Sequence, residues 1–300
     1  MVRVAVAGGS GGIGQHIVDG ILATKKHEVI VLSRSQSHAD LESKGVKIAA
    51  VSYTDPTSLD SALQGVHTVI STIADIDGDV WVASQLALLE AAKRVGVKRF
   101  VPSDFAMRGV PDDPITLYGY KVPVEEAVRK SGLEYTTFET GVFMNYLVSG
   151  TPGVGYLQPL KFVIDVENCS AMVPGDGYKP IVMTRGEDVG TFVAASLDLP
   201  RWPEVCRMAG DRKTMKEITT LAEAARGKKF SVTYASAEDI EKRMDPSPSS
   251  SMTNFYMQVM LELIRTDRCS YMEANLSELC AGVKPMNIED FLKEWWGKAD

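Results

Sequence analysis

Short apolar runs alternate with longer stretches of mixed polarity through the first half of the chain. Between these runs, apolar residues recur every three or four positions, most clearly at 79–96 and 122–131, which predicts amphipathic helices. Strands that alternate with helices in this way predict βαβ units and a parallel sheet, whose ligands bind at the carboxyl ends of the strands. The apolar runs predict strands at 2–7, 28–33, 46–51, 67–72, 98–102 and 134–138.

The pattern changes near residue 150, where the sequence SGTPGVGYLQP is rich in glycine and proline. Such a segment indicates a loop or a domain boundary. We therefore predict an α/β protein with a doubly wound, Rossmann-type parallel sheet at 1–150 and a smaller, partly helical substrate-binding region at 151–300. Within the second region, 187–199 has the pattern of an amphipathic helix with acidic residues in its first turn, and we expect it to return to the sheet.

Two features of the second region leave alternatives open. The low-complexity segment DPSPSSSMTN at 245–254 predicts a loop, which is either a surface linker or the hinge of a lid. Met252, Met257 and Met260 recur beside Tyr256 at helical spacing. That stripe fits a hydrophobic core, and it also fits an adaptable apolar lid.

The turn after the first predicted strand reads VAVAGGSGGIG at 4–14, and two motifs overlap in it. Gly8, Ser10 and Gly12 match the nucleophile elbow of hydrolases, whereas Gly8, Gly11 and Gly14 match the turn that binds a dinucleotide. A hydrolase of that type needs a histidine late in the chain, but the last histidine here is His67. Glycines at the start of a helix instead offer free N–H groups and positive dipole to a phosphate. The predicted cofactor-binding turn comprises Gly8, Gly9, Ser10, Gly11, Gly12, Ile13 and Gly14.

The end of the second predicted strand indicates which dinucleotide binds. NAD-binding folds usually carry an acid about 20 residues beyond the glycines, which binds the ribose 2′-hydroxyl. Here the strand ends in VIVLSRSQS, and Arg34 with its neighbours Ser33 and Ser35 stands in that place. A guanidinium can pair with a 2′-phosphate. The predicted cofactor is therefore NADPH/NADP.

Composition removes several other classes of function. With 32 Lys and Arg against 39 Asp and Glu, the net charge is −7, and no basic cluster is present to bind nucleic acid. No apolar run approaches the ~18 residues of a membrane span. The first strand starts at once, so we expect no signal peptide and a cytoplasmic location. Few histidines and no Cys/His spacing mean that no metal site is expected. Four widely spaced cysteines indicate reduced thiols, namely Cys169, Cys206, Cys269 and Cys280.

Several motifs together resemble the isoflavone reductase-like branch of the NmrA-like, atypical short-chain dehydrogenases. They are GGSGGIG, SRS, KRFVPSDF (98–105), KVPVEEAVRKSGLEYT (121–136), RGEDVGTFVAASLDLPRWPE and ARGKKFSV, of which the last two are similar to fungal members. The resemblance covers most of the chain and is weakest at 245–290. It implies NADPH-dependent reduction by a Rossmann domain with a small substrate domain. The same family includes redox-sensing regulators that bind the dinucleotide and catalyse nothing.

The resemblance also implies the catalytic group. The YxxxK pair of ordinary short-chain dehydrogenases is absent, because Leu117 stands four residues before Lys121. Lys121 matches the lysine that opens a helix in the isoflavone reductase-like branch and serves there as the catalytic polar group. An ammonium can stabilise the negative charge that hydride transfer leaves on an acceptor, and can donate the proton. Tyr118, three residues earlier, is the alternative donor.

Other residues complete the predicted site. Pro102 and Ser103 match the family's PSEFG loop, from which Asp104 and Ala106 depart. The predicted cofactor set further includes Thr72 and Lys121, and Phe143 as an aromatic beside the nicotinamide. The predicted substrate set is Phe105, Met144, Asn145, Tyr256 and Met257.

These observations favour an NADPH-dependent reductase of a small, largely apolar molecule. An aromatic or polyketide-like metabolite with a carbonyl, enone or imine is the expected substrate. One alternative is a non-catalytic NADP(H) sensor that binds a protein partner. Another is an isomerase or cyclase that uses Lys121 without net redox change. The expected partner is the small-molecule substrate, and a homodimer is left open.

Overall fold

A computed structural model describes residues 1–247, 251–270 and 273–297. Its centre is a six-stranded parallel sheet with the order β3-β2-β1-β4-β5-β6. The predicted Rossmann-type α/β fold is confirmed. The strands of this sheet are β1 (Arg3–Ala7), β2 (Glu28–Ser33), β3 (Lys47–Ala50), β4 (Thr68–Ser71), β5 (Arg99–Val101) and β6 (Glu134–Tyr135).

Helices cover both faces of this sheet, as its buried, β-branched strands require. The connecting helices are α1 (Gly12–Thr24), α2 (Ala39–Ser43), α3 (Pro56–Ala62), α4 (Gly78–Val95), α5 (Thr116–Gly119) and α6 (Lys121–Arg129). One core lies between the sheet and apolar residues of α3, α4 and α6. The opposite core contains α1 and a later helix, α7 (Gly186–Ser196).

The contact between α1 and α7 is unusually close. A Cβ atom on Gly20 would collide with the Gly190 carbonyl, and one on Gly190 would collide with the His16 carbonyl. Two glycines therefore let the helix backbones touch. Helix α7 corresponds to the helix predicted at 187–199, and this contact places it against the face of the main sheet.

The remaining elements build a third core, whose members run from Met107 to Leu292. The strands are β7 (Thr137–Glu139), β8 (Val142–Phe143), β9 (Ile164–Asp165), β10 (Ser170–Pro174), β11 (Pro180–Thr184), β12 (Val205–Arg207), β13 (Asp211–Thr214) and β14 (Ser231–Ala235). The helices are α8 (Met215–Arg226), α9 (Ala237–Glu241), α10 (Ser251–Arg265), α11 (Asn275–Leu279) and α12 (Ile288–Trp296), and short 3₁₀ helices span Met144–Val148, Pro152–Val154 and Arg268–Ser270.

The sixth predicted strand, 134–138, was wrong in its extent. It is divided into β6, which pairs with β5, and β7, which pairs in parallel with β12. The apolar pattern continues through both pieces because β6 is partly buried and β7 is buried, and it carries no information about the pairing partner. The other predicted elements differ from the observed ones only at their ends. Within the described residues, the structure has no helix long and apolar enough to cross a membrane.

Candidate active site

The glycine-rich turn lies between β1 and α1 at the carboxyl edge of the sheet. Gly11 is the N-cap of α1 and has an extended backbone without a side-chain cap. The first N–H groups of a helix have no partner within it, so they are available to a ligand. A Cβ on Gly11 or Gly12 would meet nothing within 4 Å. This side of the turn is open.

The other glycines of the turn are enclosed by protein. Gly8 has a φ of +79°, and a Cβ there would lie 2.8 Å from the Thr72 carbonyl oxygen. A Cβ on Gly9 would lie 2.9 Å from a side chain of β2, and one on Gly14 would collide with Gly8 and the Thr72 hydroxyl. Close packing on one side and free space on the other form a cradle, and the turn fits the pyrophosphate of a dinucleotide.

Arg34 follows β2 at the same edge and is exposed. Within the described residues no carboxylate is paired with its guanidinium, which leaves it available to a phosphate. Ser33 is engaged instead, because its hydroxyl bonds His38 Nε2 at 2.7 Å and accepts the Ser35 N–H at 3.0 Å. Ser33 therefore shapes the turn that presents Arg34 and Ser35.

A cavity of about 360 Å³ lies beside the glycine turn. Its lining joins ends of the main sheet with side chains from the third core, and it is mostly apolar. The sequence-predicted residues that line it are Ile13, Thr72, Ser103, Phe105, Tyr118, Lys121, Phe143 and Tyr256. Residues that the sequence did not single out also line it, including Trp81, Met107, Tyr146, Phe162, Phe255 and Val259.

Lys121 opens α6 in the wall of this cavity and is only 7% exposed. Its Nζ donates to the Asp104 carboxylate and, at 2.6 Å, to the Met107 carbonyl. The same atom lies 3.9 Å from the centre of the Tyr118 ring. A carboxylate, a carbonyl and an aromatic face therefore surround the ammonium, and Lys121 still borders the space where a ligand fits.

The two neighbouring acids of Lys121 are both shifted by their surroundings. Burial raises the pKa of the Asp104 carboxyl, and the adjacent Lys121 charge opposes that rise. Burial also raises the pKa of the Tyr118 phenol, so this group is neutral at physiological pH. The ion pair of Lys121 and Asp104 thus lies beside the uncharged phenol of Tyr118 at the cavity wall.

Apart from the glycine turn and the residues that end β2, four predicted site residues do not line the cavity. Met144 is fully buried in the third core, and Met257 packs against the same core. Asn145 is also buried, and its side-chain amide accepts the Gly186 N–H at 2.8 Å, so it joins two parts of the fold. Pro102 is buried beside the lining residue Ser103.

Helix α10 forms the wall opposite the sheet ends, and its methionines divide between two roles. Met252 and Tyr256 line the cavity, whereas Met260 is buried in the third core. The core interpretation thus holds for Met260, whereas the lid interpretation stays a prediction for Met252 and Tyr256. The predicted loop at 245–254 was wrong at its end, because α10 begins at Ser251. Residues 248–250 lie outside the described residues, and the hinge stays a prediction.

Two polar contacts attach α10 to the segment before Lys121. Gln258 bonds both the backbone and the hydroxyl of Thr116, at 3.0 and 2.9 Å. Arg268, just beyond α10, pairs with Asp113 and lies 3.0 Å from Glu262. The wall of the cavity and the start of the Lys121 helix are therefore held together.

The serine of the alternative hydrolase motif has no catalytic partner. Ser10 lies in the glycine turn, and no histidine bonds it in the described part of the chain. His16, the nearest in sequence, is buried on α1 against Tyr156, with ring centres 4.9 Å apart. The four cysteines are free thiols. Among residues 1–247, 251–270 and 273–297, no cluster of side chains suits a metal ion.

The model of the NmrA-like family matches residues 2–292. The chain belongs to this family. The NmrA-like chain is 37% identical to the oxidoreductase BOA1 of Botryotinia fuckeliana over 237 residues, which span 77% of this chain and 78% of that protein. It is 27% identical to a bifunctional pinoresinol-lariciresinol reductase of Thuja plicata, over 98% of both chains.

Solved structures show the same fold. The NmrA-like chain matches AtPrR2 with NADP+ and (+)pinoresinol at a TM-score of 0.78 and 24% identity, over 98% of both chains. It matches a ternary complex of leucoanthocyanidin reductase from Vitis vinifera at a TM-score of 0.76 and 20% identity, over 99% of this chain and 100% of that one. The predicted family and the predicted oxidoreductase class are confirmed, and the AtPrR2 structure contains the NADP that the sequence predicts for this chain.

Proposed function

We propose that this NmrA-like chain is an NADPH-dependent reductase of a small, largely apolar molecule. The observation that carries the proposal is one cavity of about 360 Å³, which borders both the glycine turn, through Ile13, and the buried ammonium of Lys121. A dinucleotide site and a polar group thus adjoin one apolar cavity. A sensor needs no such space beside the dinucleotide, so the cavity favours catalysis.

The cofactor end has a residue for each part of NADPH that needs one. The open side of the turn at Gly11 and Gly12 suits the pyrophosphate, and Arg34 suits the 2′-phosphate. Ser103 and Phe143, which line the cavity, would border the nicotinamide. Bound NADPH would supply a hydride.

Lys121 provides what the acceptor then needs. An acceptor oxygen or nitrogen beside Nζ gains negative charge as its carbon is reduced, and the ammonium stabilises that charge. The ammonium also holds the proton that completes the reduction. Tyr118 lies under Nζ as a neutral phenol, and its ring adds further stabilisation of the cation.

The lining indicates the class of substrate. Phe105, Tyr146, Phe162 and Phe255 contribute aromatic faces, which suit a flat ring. The ion pair of Lys121 with Asp104 leaves little net charge in this wall. We therefore infer a neutral aromatic or polyketide-like molecule that carries a carbonyl, enone or imine.

Replacement of Lys121 tests this function. The assay follows NADPH oxidation across a panel of neutral aromatic ketones, enones and imines. We expect the wild type to reduce at least one of them, and Lys121→Ala to lose roughly 100- to 10,000-fold in turnover, as removal of a positioned acid does. NADPH affinity, measured by titration, should stay within a small factor.

Tyr118→Phe is the matched control, since it keeps the ring beneath Nζ and removes only the hydroxyl. A large loss in Tyr118→Phe with little in Lys121→Ala would transfer the role of donor to Tyr118. A wild type that binds NADPH tightly and reduces nothing on the panel, yet binds a protein partner, would instead support the sensor.

A further inference from the structure

Lys121 lines the cavity, yet its side chain is almost completely buried. Its side chain is 7% exposed, and that of its partner Asp104 is 4% exposed. A charge taken from water at this depth is stable only with a close counter-charge. In the described chain, Asp104 is the carboxylate that bonds Nζ.

The loop that carries Asp104 is fixed on several sides. The Ser103 N–H donates to the buried amide of Gln85 at 2.7 Å. The Phe105 ring stacks on Phe138 with centres 5.7 Å apart, and Ala106 forms a β-bridge to β7. These contacts do not involve Lys121, so they support the loop in addition to its bonds with the lysine.

The other acidic groups that face this pair are already paired with arginines. Glu125 pairs with Arg108 and Arg129 on the outer side of α6, and Glu139 pairs with Arg207. Both carboxylates raise the pKa of Asp104 further. Their effect is smaller than that of burial, and it opposes the effect of the Lys121 charge. Their charges are balanced by these arginines, so they do not replace Asp104 as the counter-charge.

The remaining titratable neighbours come from the third core. Tyr118 and Cys269 are both neutral, since burial raises the pKa of the Tyr118 phenol and raises that of the Cys269 thiol to about 12. Arg268 faces Tyr118, but it is paired with Asp113 and Glu262. None of these groups supplies a negative charge to Nζ.

We propose that Asp104 is a positioning residue that supplies the buried counter-charge of the Lys121 ammonium and aims its Nζ from the cavity wall. The proposal rests on the proposed function for the role of Lys121 in turnover. The state of the amine itself can be measured without any substrate. The role of Asp104 and the proposed reductase function can therefore be disproved separately.

Asp104→Asn tests the proposal, because it keeps the shape and a hydrogen-bond acceptor and removes the charge. An adjacent opposite charge shifts the pKa of a titratable group by roughly one to three pH units. Loss of the negative charge lets Lys121 lose its proton at lower pH. We expect acetylation of Lys121 by acetic anhydride, followed by peptide mass spectrometry, to start roughly one to three pH units lower than in the wild type.

Turnover should change in the same direction. If the proposed reductase activity is present, the loss of activity on the basic side of the pH profile should move down by the same interval. At the wild-type optimum, kcat should fall roughly 100-fold, the size of effect that a misplaced reacting group produces. NADPH affinity should not change.

Asp188→Asn is the matched control. Asp188 is also buried, pairs with Arg185 at 2.7 Å and does not line the cavity. We expect a loss of stability there without any shift in Lys121 acetylation. If Asp104→Asn does not fold, Asp104→Glu keeps the charge on a longer side chain, and we expect a wild-type acetylation profile with reduced kcat.

An unchanged acetylation profile in folded Asp104→Asn would overturn the proposal, whatever the activity. Wild-type kcat in Asp104→Glu would overturn the aiming role. A shifted acetylation profile in a protein that reduces nothing would support Asp104 as the counter-charge and count against the proposed function alone.

Discussion

The two ends of the candidate site are built from different parts of the chain. The cofactor end consists of main-chain groups in one continuous turn, where Gly11 and Gly12 leave space and Gly8 and Gly14 allow close packing. The opposite end consists of side chains on α10, a helix far later in the sequence, together with aromatic residues of the third core. One end depends on the absence of side chains and the other on their presence.

This difference has a consequence for how each end responds to substitution. A turn made of glycine backbone has no side chain to exchange, so almost any change removes space that a phosphate needs. A wall made of Met, Phe and Tyr side chains can be altered one group at a time while the helix remains. We therefore expect cofactor binding to be lost outright, and substrate selection to change by degrees.

The largest effect is expected at the glycine turn. In Gly11→Val the new side chain enters the open side, so NADPH binding should fall below detection while the free energy of unfolding stays close to that of the wild type. In Gly14→Val it meets Gly8 and Thr72, so binding should be lost and stability should fall by roughly 1–3 kcal/mol as well. NADPH titration and chemical denaturation measure the two effects.

Gly282→Val is the control for this pair, because Gly282 is exposed and a Cβ there has free space. It should change neither quantity. Tight NADPH binding by Gly11→Val would contradict the placement of the pyrophosphate.

Arg34→Ala should have the next largest effect, since it removes one charge-assisted contact and leaves the cradle intact. We expect a loss of roughly 1–3 kcal/mol in NADPH binding and almost none in NADH binding. Calorimetry with both cofactors measures the difference. Arg201→Ala, at another exposed arginine, is the control, and equal losses for NADPH and NADH in Arg34→Ala would refute the 2′-phosphate contact.

At the opposite end, Tyr256→Ala should lower kcat/KM for an aromatic substrate by roughly 10-fold, in line with the loss of one apolar pocket contact. NADPH affinity should stay unchanged, which is the contrast with Arg34. Tyr256→Phe keeps the ring that packs against Phe162 and Phe255. It should therefore retain most of the activity, and a loss as large as that of Tyr256→Ala would point to the hydroxyl rather than the ring.

The smallest effect is expected at the attachment of α10. Gln258→Ala removes two exposed hydrogen bonds to Thr116, each with a net value of roughly 0.5–1.5 kcal/mol. We expect a few-fold rise in KM with kcat and NADPH affinity unchanged. Gln258→Glu keeps an acceptor for the Thr116 N–H, so its KM should lie between those of the wild type and Gln258→Ala. A fall in kcat without a change in KM would mean that this contact acts on Lys121 rather than on the wall.

Much of the cofactor end could be predicted from local sequence. The glycine spacing, the strand before it and the helix after it occupy one short segment, and Arg34 follows at the next strand end. Main-chain phosphate sites are local by nature, since a turn and a helix N-terminus supply both the space and the donors. The position of Lys121 came from family resemblance, because its spacing alone also fits a solvated helix.

The substrate end could be predicted only in part. Tyr256 was expected near the substrate and lines the cavity, but Met144, Asn145 and Met257 do not. Those three lie on elements with the same apolar pattern as their cavity-lining neighbours Phe143 and Tyr256. A helical or extended stripe shows which face is buried and does not show whether core or cavity lies against it.

The sequence by itself determined the βαβ succession, the glycine cradle and the charge at the end of β2, because each of these features depends on residues that are close together in the sequence. Only the tertiary structure decided that β7 leaves the main sheet for β12, that α10 closes the cavity, and that Asp104 reaches Lys121. These are contacts between separate segments. They depend on how whole elements pack, and hydrophobic periodicity does not encode which buried faces meet.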